Sequence, residues 1–514
     1  MSNSGRARLA RFSVAARSPL AAEREGAQEA AGDKPATRLR ALLRRAVRVL
    51  LHVPLPTWAT PVSIACLGMY IVETLDHGVY RMQIPFATVL TGSLIVMLVA
   101  LYRALAQPPT RLVTVGQRPK TTLLMLVLAG ITIAQTFIAI PHLMQVQRYT
   151  NDAVAVTDCA AQMVMHGANP YKNVHMLTCL ADHGLNSGST TPKTVGAFKK
   201  FRSYPSPGAA TFKWIQFHTF NIDLAKERRN PSYMTPDFEN RFNYPGAAIS
   251  IAIPALLLGV RDLIPLYIGF ILLACNLIWS RAYPRIRLAV YVLLLGNASL
   301  VVDGVGGLTD ASYALFLVLY WFNRKRTWPA ALSLGLAVAS RQQAWFFVPF
   351  LLYLAWRECG LPDAITRAAL VALVFLGFDL QFIVASPGDW IAGVLGPMHD
   401  PMFALGVGLI DLSIAKILPL FPATVYLLLE VSAYAGVFAY YTRRYVTAPA
   451  LALLLPLVPM FFAWRSLHTY FMFLPILAMA ALVTTTPRIV GADMAPGAPS
   501  ARAGRSRGRH GIVD

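Results

Sequence analysis

The sequence predicts an all-α polytopic membrane protein, and three observations predict it. The 514-residue chain is 56% hydrophobic and 14% charged, where a soluble domain carries about 25% charged residues. Its apolar stretches repeatedly reach the roughly 20 residues that a helix needs to cross the hydrocarbon core. Much of its formal net charge of +21 lies at the chain ends and in short loops. Residues 1–56 hold eleven Lys/Arg against four acids, and after Pro487 five arginines face Asp493 and Asp514. These features exclude a soluble single domain, a disordered chain and a disulfide scaffold. Both tails lack aromatic interleaving and a recognisable fold, so no nucleic-acid partner is expected. They read instead as cytoplasmic flanks under the positive-inside rule.

Four parts follow in order. Residues 1–56 are Ala/Arg-rich without an apolar signal region, and their composition predicts disorder. Residues 57–120 carry two transmembrane helices, near 58–76 and 83–103, joined by the short outer loop Leu75-Asp76-His77. Residues 121–486 form the main membrane domain. Its first span, 121–140, exits to the outside and leads into a long polar outer loop, 142–243. Residues 487–514 are a second basic, disordered tail. The stretch 246–280 decides the sidedness of the rest. If it makes one net crossing, the basic loops Arg281–Arg287, Asn323–Arg326 and Arg443-Arg444 all fall inside, and so does the C-terminal tail. That count gives about twelve crossings, a plasma (inner) membrane location and both termini in the cytoplasm. The polar loops around Asp303, Arg341-Gln342, Asp389 and Arg465–His468 then join the long loop on the outer face.

The outer loop holds the most informative segment, from Tyr149 to Tyr171. Asp152 and Asp158 lie in an apolar stretch of helical period that contains Ala160-Ala161. Gly167 suits its C-terminal stop, and Asn169-Pro170-Tyr171 turns the chain away. Two roles fit these acids. Either one can cap the helix, or a part-desolvated carboxylate near the membrane surface can act as a proton acceptor.

The order of acid, Ala160-Ala161, Gly167-x-Asn169-Pro170-Tyr171 and Tyr244-Pro245 resembles the membrane glycosyltransferases of the GT-C fold. Within them it is most similar to glycosyltransferase family 87, the polyprenyl-phosphate-mannose-dependent mannosyltransferase-like proteins. Leu295-Gly296-Asn297, Gly335 to Gln342 with Pro349 beyond, and Trp464 to Tyr470 are similar to later segments of that family. Asp152, eight residues before Ala160, matches the family's acid better than Asp158, two before it. The first two spans are an addition to the family pattern, and Arg341 stands where the family more often has Lys.

The resemblance implies inverting, metal-independent transfer of a sugar, mannose favoured, from a polyprenyl-phosphate donor to a hydroxyl of a glycolipid or glycan acceptor. It implies an active site on the outer face, membrane lipid as a partner and no cofactor. Asp152 is the candidate general base and Asp158 the alternative. Arg341, Arg465 and His468 are candidate phosphate contacts. The arginines equally suit snorkelling to the interface, and His468 suits packing beside Trp464 and Tyr470. Asn169, Tyr171, Tyr244, Asp303 and Gln342 complete the candidate substrate-binding set. Cys159 and Cys179 share the outer loop, where oxidation is open to them. The competing function is a multi-span transporter of a lipid-linked or small polar substrate, for which Asp379, Asp411 and Glu430 are candidate mid-span acids.

Overall fold

A computed structural model of the chain describes residues 53–76, 84–106, 112–143, 149, 152–173, 175–201, 204, 209–230, 232–396 and 400–485. The basic tails expected at 1–56 and 487–514 lie outside these residues apart from 53–56, as does His77 of the first expected outer loop.

The described chain is largely α-helical. Strand β1 (Pro54–Pro56) pairs antiparallel with β2 (Leu112–Thr114) and closes a two-helix unit between them. That unit is α1 (Ala59–Asp76) and α2 (Ile84–Ala106). They pack closely at Gly68, where an added Cβ would stand 2.9 Å from the Ser93 carbonyl oxygen. Small residues serve this purpose in membrane helix pairs. Helix α3 (Pro119–Leu143) lies against α1, and Thr60 Oγ1 is 2.8 Å from Thr121 Oγ1.

The segment after α3 carries short helices. Helix α4 (Asp152–Met165) stops just before Gly167, whose φ of 78° suits a residue without Cβ. Helices α5 (Pro170–Asn173), α6 (Met176–Asp182) and the longer α7 (Ala209–Arg229) follow. A disulfide between Cys159 and Cys179 joins α4 to α6. Glu227 of α7 accepts the backbone N–H groups of Leu177 (3.3 Å) and Thr178 (3.2 Å), which the first turn of α6 leaves free. Lys193 pairs with Asp400 at 2.5 Å and fastens this segment to a later loop.

The membrane domain continues with α8 (Gly246–Leu257), α9 (Ile264–Arg281), α10 (Arg287–Leu295) and α11 (Ser299–Gly306). Next come α12 (Ala311–Asn323), α13 (Thr327–Ser340), α14 (Phe347–Cys359), α15 (Leu361–Ala385) and α16 (Pro387–Val394). Strand β3 (Leu405–Gly406), α17 (Leu409–Ile414) and α18 (Ala423–Arg444) lead to β4 (Arg465–Ser466), which runs parallel to β3. Helices α19 (Thr469–Met472) and α20 (Leu474–Thr485) end the described chain. One continuous cluster of buried side chains runs from Leu55 to Val483. The two added N-terminal helices share it through Trp58, Met69 and Leu101.

Among the described residues, five helices are long and apolar enough to cross a membrane, the cores of α2, α3, α9, α15 and α18. The bent pair Pro284–Leu295 and Ser299–Gly306, meeting at 55°, makes a sixth if it counts as one span. Phe137 and Ile138 on α3, Leu373 and Val384 on α15, and Leu427 and Leu428 on α18 point outward. Such an apolar surface belongs in lipid. The architecture is therefore a largely helical one, consistent with several membrane spans.

It departs in detail from a regular succession of full spans. Residues 246–280 divide into α8, with 12 residues too short to cross, and α9, of spanning length. The apolar run 449–462 is not α-helical but two 3-10 segments, because Pro449, Pro456 and Pro459 remove backbone donors. Asp379, a candidate mid-span acid, accepts hydrogen bonds from Gly246 N–H (2.8 Å) and Trp390 Nε1–H (2.9 Å). It thereby caps α8 from the side of α15. Close packing at Gly246 makes this possible, since a Cβ there would meet the Phe378 carbonyl oxygen at 2.5 Å.

The disulfide closes a loop of 20 residues, a constraint worth about 3 kcal/mol through the unfolded chain. Cys159 and Cys179 should resist alkylation until a reductant is added, as read by intact mass. Reduction should also lower the melting temperature of the purified protein. Free thiols at both positions in the untreated protein would contradict the bond.

Candidate functional site

The site is built around Arg341, the residue at which the chain leaves α13 in an extended conformation (φ −155°). Its guanidinium is 3% exposed. Nε lies 2.9 Å from Asp310 Oδ1, and Nη2 donates to Thr309 Oγ1. The Tyr244 ring lies under the group, its centroid 3.9 Å from Cζ. A buried charge costs several kcal/mol unless it is paired, and Asp310 provides the pairing. Nη1, also buried, has no hydrogen-bond partner among the described residues.

Arg465 enters from β4, held by the β3–β4 ladder. Its Nη1 is likewise buried without a hydrogen-bond partner among the described residues. Asp152, the first residue of α4, lies in the field of both guanidinium groups. Burial pushes its carboxyl above the usual carboxylate range, against the opposing pull of Arg465, the Ala153 backbone N–H and Arg341. Asp152 bonds the first turn of α4 and faces a cleft. The cleft has a volume of about 20 Å³ and is lined by Asp152, Ala153, Thr190, Glu239, Asn243 and Tyr244. That is room for about one water molecule.

Asp158 has a different place. It is 1% exposed, accepts from Tyr149 O–H at 2.7 Å and from Gln162 Nε2–H at 2.8 Å, and lies 3.7 Å from His183 Nε2. Tyr149 in turn accepts the Leu263 N–H at 3.0 Å. These bonds tie α4 to the start of α9. Asn169 and Tyr171 also serve as fastenings. Asn169 Oδ1 accepts the Tyr171 N–H at 3.0 Å, an Asx turn. Tyr171, fully buried against Phe242 and Phe382, donates its O–H to the Tyr244 carbonyl at 2.7 Å. Gln342 Nε2–H donates to the carbonyls of Asn243 (2.5 Å) and Val394 (3.0 Å). All three position the backbone at 243–244 and so set Tyr244 beneath Arg341.

Asp303 and His468 form a neighbouring cluster. His468 Nε2 lies 3.2 Å from Asp303 Oδ2 and 3.4 Å from Glu73 Oε2, and Nδ1 lies 2.6 Å from Asp76 Oδ2. Burial lowers the imidazole pKa, but the bonds and charges of Asp303 and Asp76 outweigh it and hold the ring well above its usual value. Asp310 feels the charge of Arg341 as well as those of Asp303 and His468, so the two clusters adjoin.

Glu239 was not singled out by the sequence. Burial raises its carboxyl above the usual range, opposed by Arg465 and by a 2.9 Å bond from Asn243 Nδ2–H. An acid just ahead of Tyr244-Pro245 was the available signal, but one acid in a polar loop does not announce a shared cleft. Asp310 and Thr309 were missed as Arg341 partners for the same reason. Glu73 and Asp76 were passed over because the first helix lies outside the family pattern.

The Tyr149–Asp158 pair yields a structural expectation. Asp158→Asn should lower unfolding stability by about 1.5–3 kcal/mol, the worth of a hydrogen bond to a charged group. Tyr149→Phe should shift stability in the same direction. In a thermal-melting double-mutant cycle the two losses should sum to less than their separate values would suggest. Strict additivity would mean that the two groups do not interact.

Comparison of the chain with family models, with curated proteins and with solved structures finds no match, so its geometry and chemistry are the grounds for a functional reading.

Proposed function

We propose that the protein is an integral membrane glycosyltransferase of the GT-C type. It transfers a sugar, mannose favoured, from polyprenyl phosphate to an acceptor hydroxyl at the outer membrane face, with inversion. The observation that carries this reading is one carboxylate, Asp152, beside two guanidinium groups that each keep a buried Nη1 without a hydrogen-bond partner among the described residues. Arginine donors left open in this way suit phosphate oxygens. A carboxylate with a raised pKa is a better proton acceptor near neutral pH.

In this reaction Asp152 takes the acceptor hydroxyl proton. The acceptor oxygen then bonds to the anomeric carbon while the bond from that carbon to the phosphate oxygen breaks. Polyprenyl phosphate leaves with the electron pair, and Arg341 and Arg465 stabilise its charge. Asp158, Asn169, Tyr171 and Gln342 hold the scaffold. The Cys159–Cys179 bond supports an outer-face location, since such bonds persist in oxidising compartments. A cleft of about 20 Å³ is too small for a sugar, so this reading requires the segment over it to open for substrate. Transport is the lesser reading, because Asp379 is already engaged by Gly246 and Trp390.

The test uses the purified protein in lipid vesicles with polyprenyl-phosphate mannose, arabinose or glucose and a glycolipid or glycan acceptor bearing free hydroxyls, and follows release of polyprenyl phosphate. Wild type should turn over one donor, and Asp152→Asn should lose about 10²–10⁴-fold in rate. The base works only when deprotonated, so the rate should rise with pH. Because its pKa is raised, the fall on the acid side should come above the pH of about 3.9 at which an ordinary aspartate titrates. No release from any donor, or full activity in Asp152→Asn, would overturn the reading. Substrate flux into sealed vesicles without turnover would favour transport.

A further inference from the structure

We propose that Glu73, Asp303 and His468 bind one divalent cation of the Mn2+ or Zn2+ class. The three come from separate parts of the fold: the last turn of α1, the helix α11, and the loop after β4. Each offers one ligand atom, and the three atoms lie within 4.8 Å of one another. A metal bonded at about 2.1 Å places neighbouring ligand atoms roughly 3.0–3.4 Å apart, from right-angled to tetrahedral arrangements. His468 Nε2 stands 3.2 Å from Asp303 Oδ2 and 3.4 Å from Glu73 Oε2.

The orientation of the ring is the independent observation. Asp76 Oδ2, 2.6 Å from His468 Nδ1, accepts the proton on that side. This carboxylate–imidazole contact fixes the tautomer of metal-binding histidines and turns the Nε2 lone pair toward the ion. Metal binding displaces the Nε2 proton, and the two carboxylates with the imidazole then neutral carry a charge that a dication balances. One nitrogen with carboxylate oxygens suits Mn2+ or Zn2+. The other group with metal-ligand spacing, Cys159, Cys179 and His183, has its two sulfurs joined to each other and offers no thiolate. The site adjoins Asp310 and Arg341, but the inference stands on these side chains and not on the transfer reaction.

The test is a binding measurement on the full-length protein in detergent, stripped with EDTA and titrated with Mn2+ under electron paramagnetic resonance, with Zn2+ as competitor. Wild type should take up one equivalent of Mn2+ that Zn2+ displaces. Asp303→Asn and His468→Ala should lose it. Asp76→Asn keeps all three ligand side chains and should weaken binding by ~10–100-fold, which tests the site even if His468→Ala does not fold. Failure of wild type to bind either metal stoichiometrically would make the cluster an imidazolium ion pair only. Binding that survives Asp303→Asn unchanged would place the ion elsewhere. Either result overturns the proposal.

Discussion

A guanidinium buried in a helical membrane domain has to be paired, and the rest of the site depends on how Arg341 meets that requirement. Asp310 and Thr309, at the start of α12, supply a charge and an acceptor oxygen. Tyr244 supplies a ring face. The Tyr244 backbone must then be held, and Tyr171 holds it through the Tyr244 carbonyl, as Gln342 does through the Asn243 carbonyl. Asn243 in turn steadies Glu239. One desolvated charge thus sets the position of the segment from 239 to 244 and defines one wall of the cleft. Removing a partner would leave the charge uncompensated, which is more costly than never having buried it.

Helical geometry divides the work of the two acids on α4. Six residues at 3.6 per turn place Asp152 and Asp158 on different faces. Asp152 sits at the helix start, where backbone N–H groups favour a negative charge, and feels the charges of Arg465 and Arg341. Asp158 looks toward Tyr149, His183 and the start of α9. The Asn169-Pro170-Tyr171 turn that follows fastens this segment to the chain at Tyr244 and to Phe382 of α15.

Much of the architecture was legible before any coordinates. The apolar runs at 83–103 and 121–140 are α2 and α3, and Gly167 ends α4 where its freedom from Cβ permits a positive φ. Regular spans were not legible at 449–462, where three prolines turn an apolar run into 3-10 segments. Nor was the place of the first two helices. Their sequence reads as an addition, yet α1 contributes Glu73 and Asp76 to the cluster around His468. Hydropathy reports how much of a helix avoids water, and is silent on which neighbour it meets.

By itself the sequence determined the helical, membrane-embedded character of the chain, because apolar run length and charge placement are local properties. It also determined which polar residues stand apart from the apolar runs, and so Asp152, Arg341, Arg465 and His468 could be picked out as candidates. The packing of distant segments brings Asp152 and Glu239 within the field of Arg465, and Asp310 against Arg341. It alone decided that Asp379 caps a neighbouring helix. Each of these outcomes depends on side chains up to hundreds of residues apart reaching hydrogen-bond or Coulomb distance. Such distances follow from how helices pack, and no spacing along the chain encodes them.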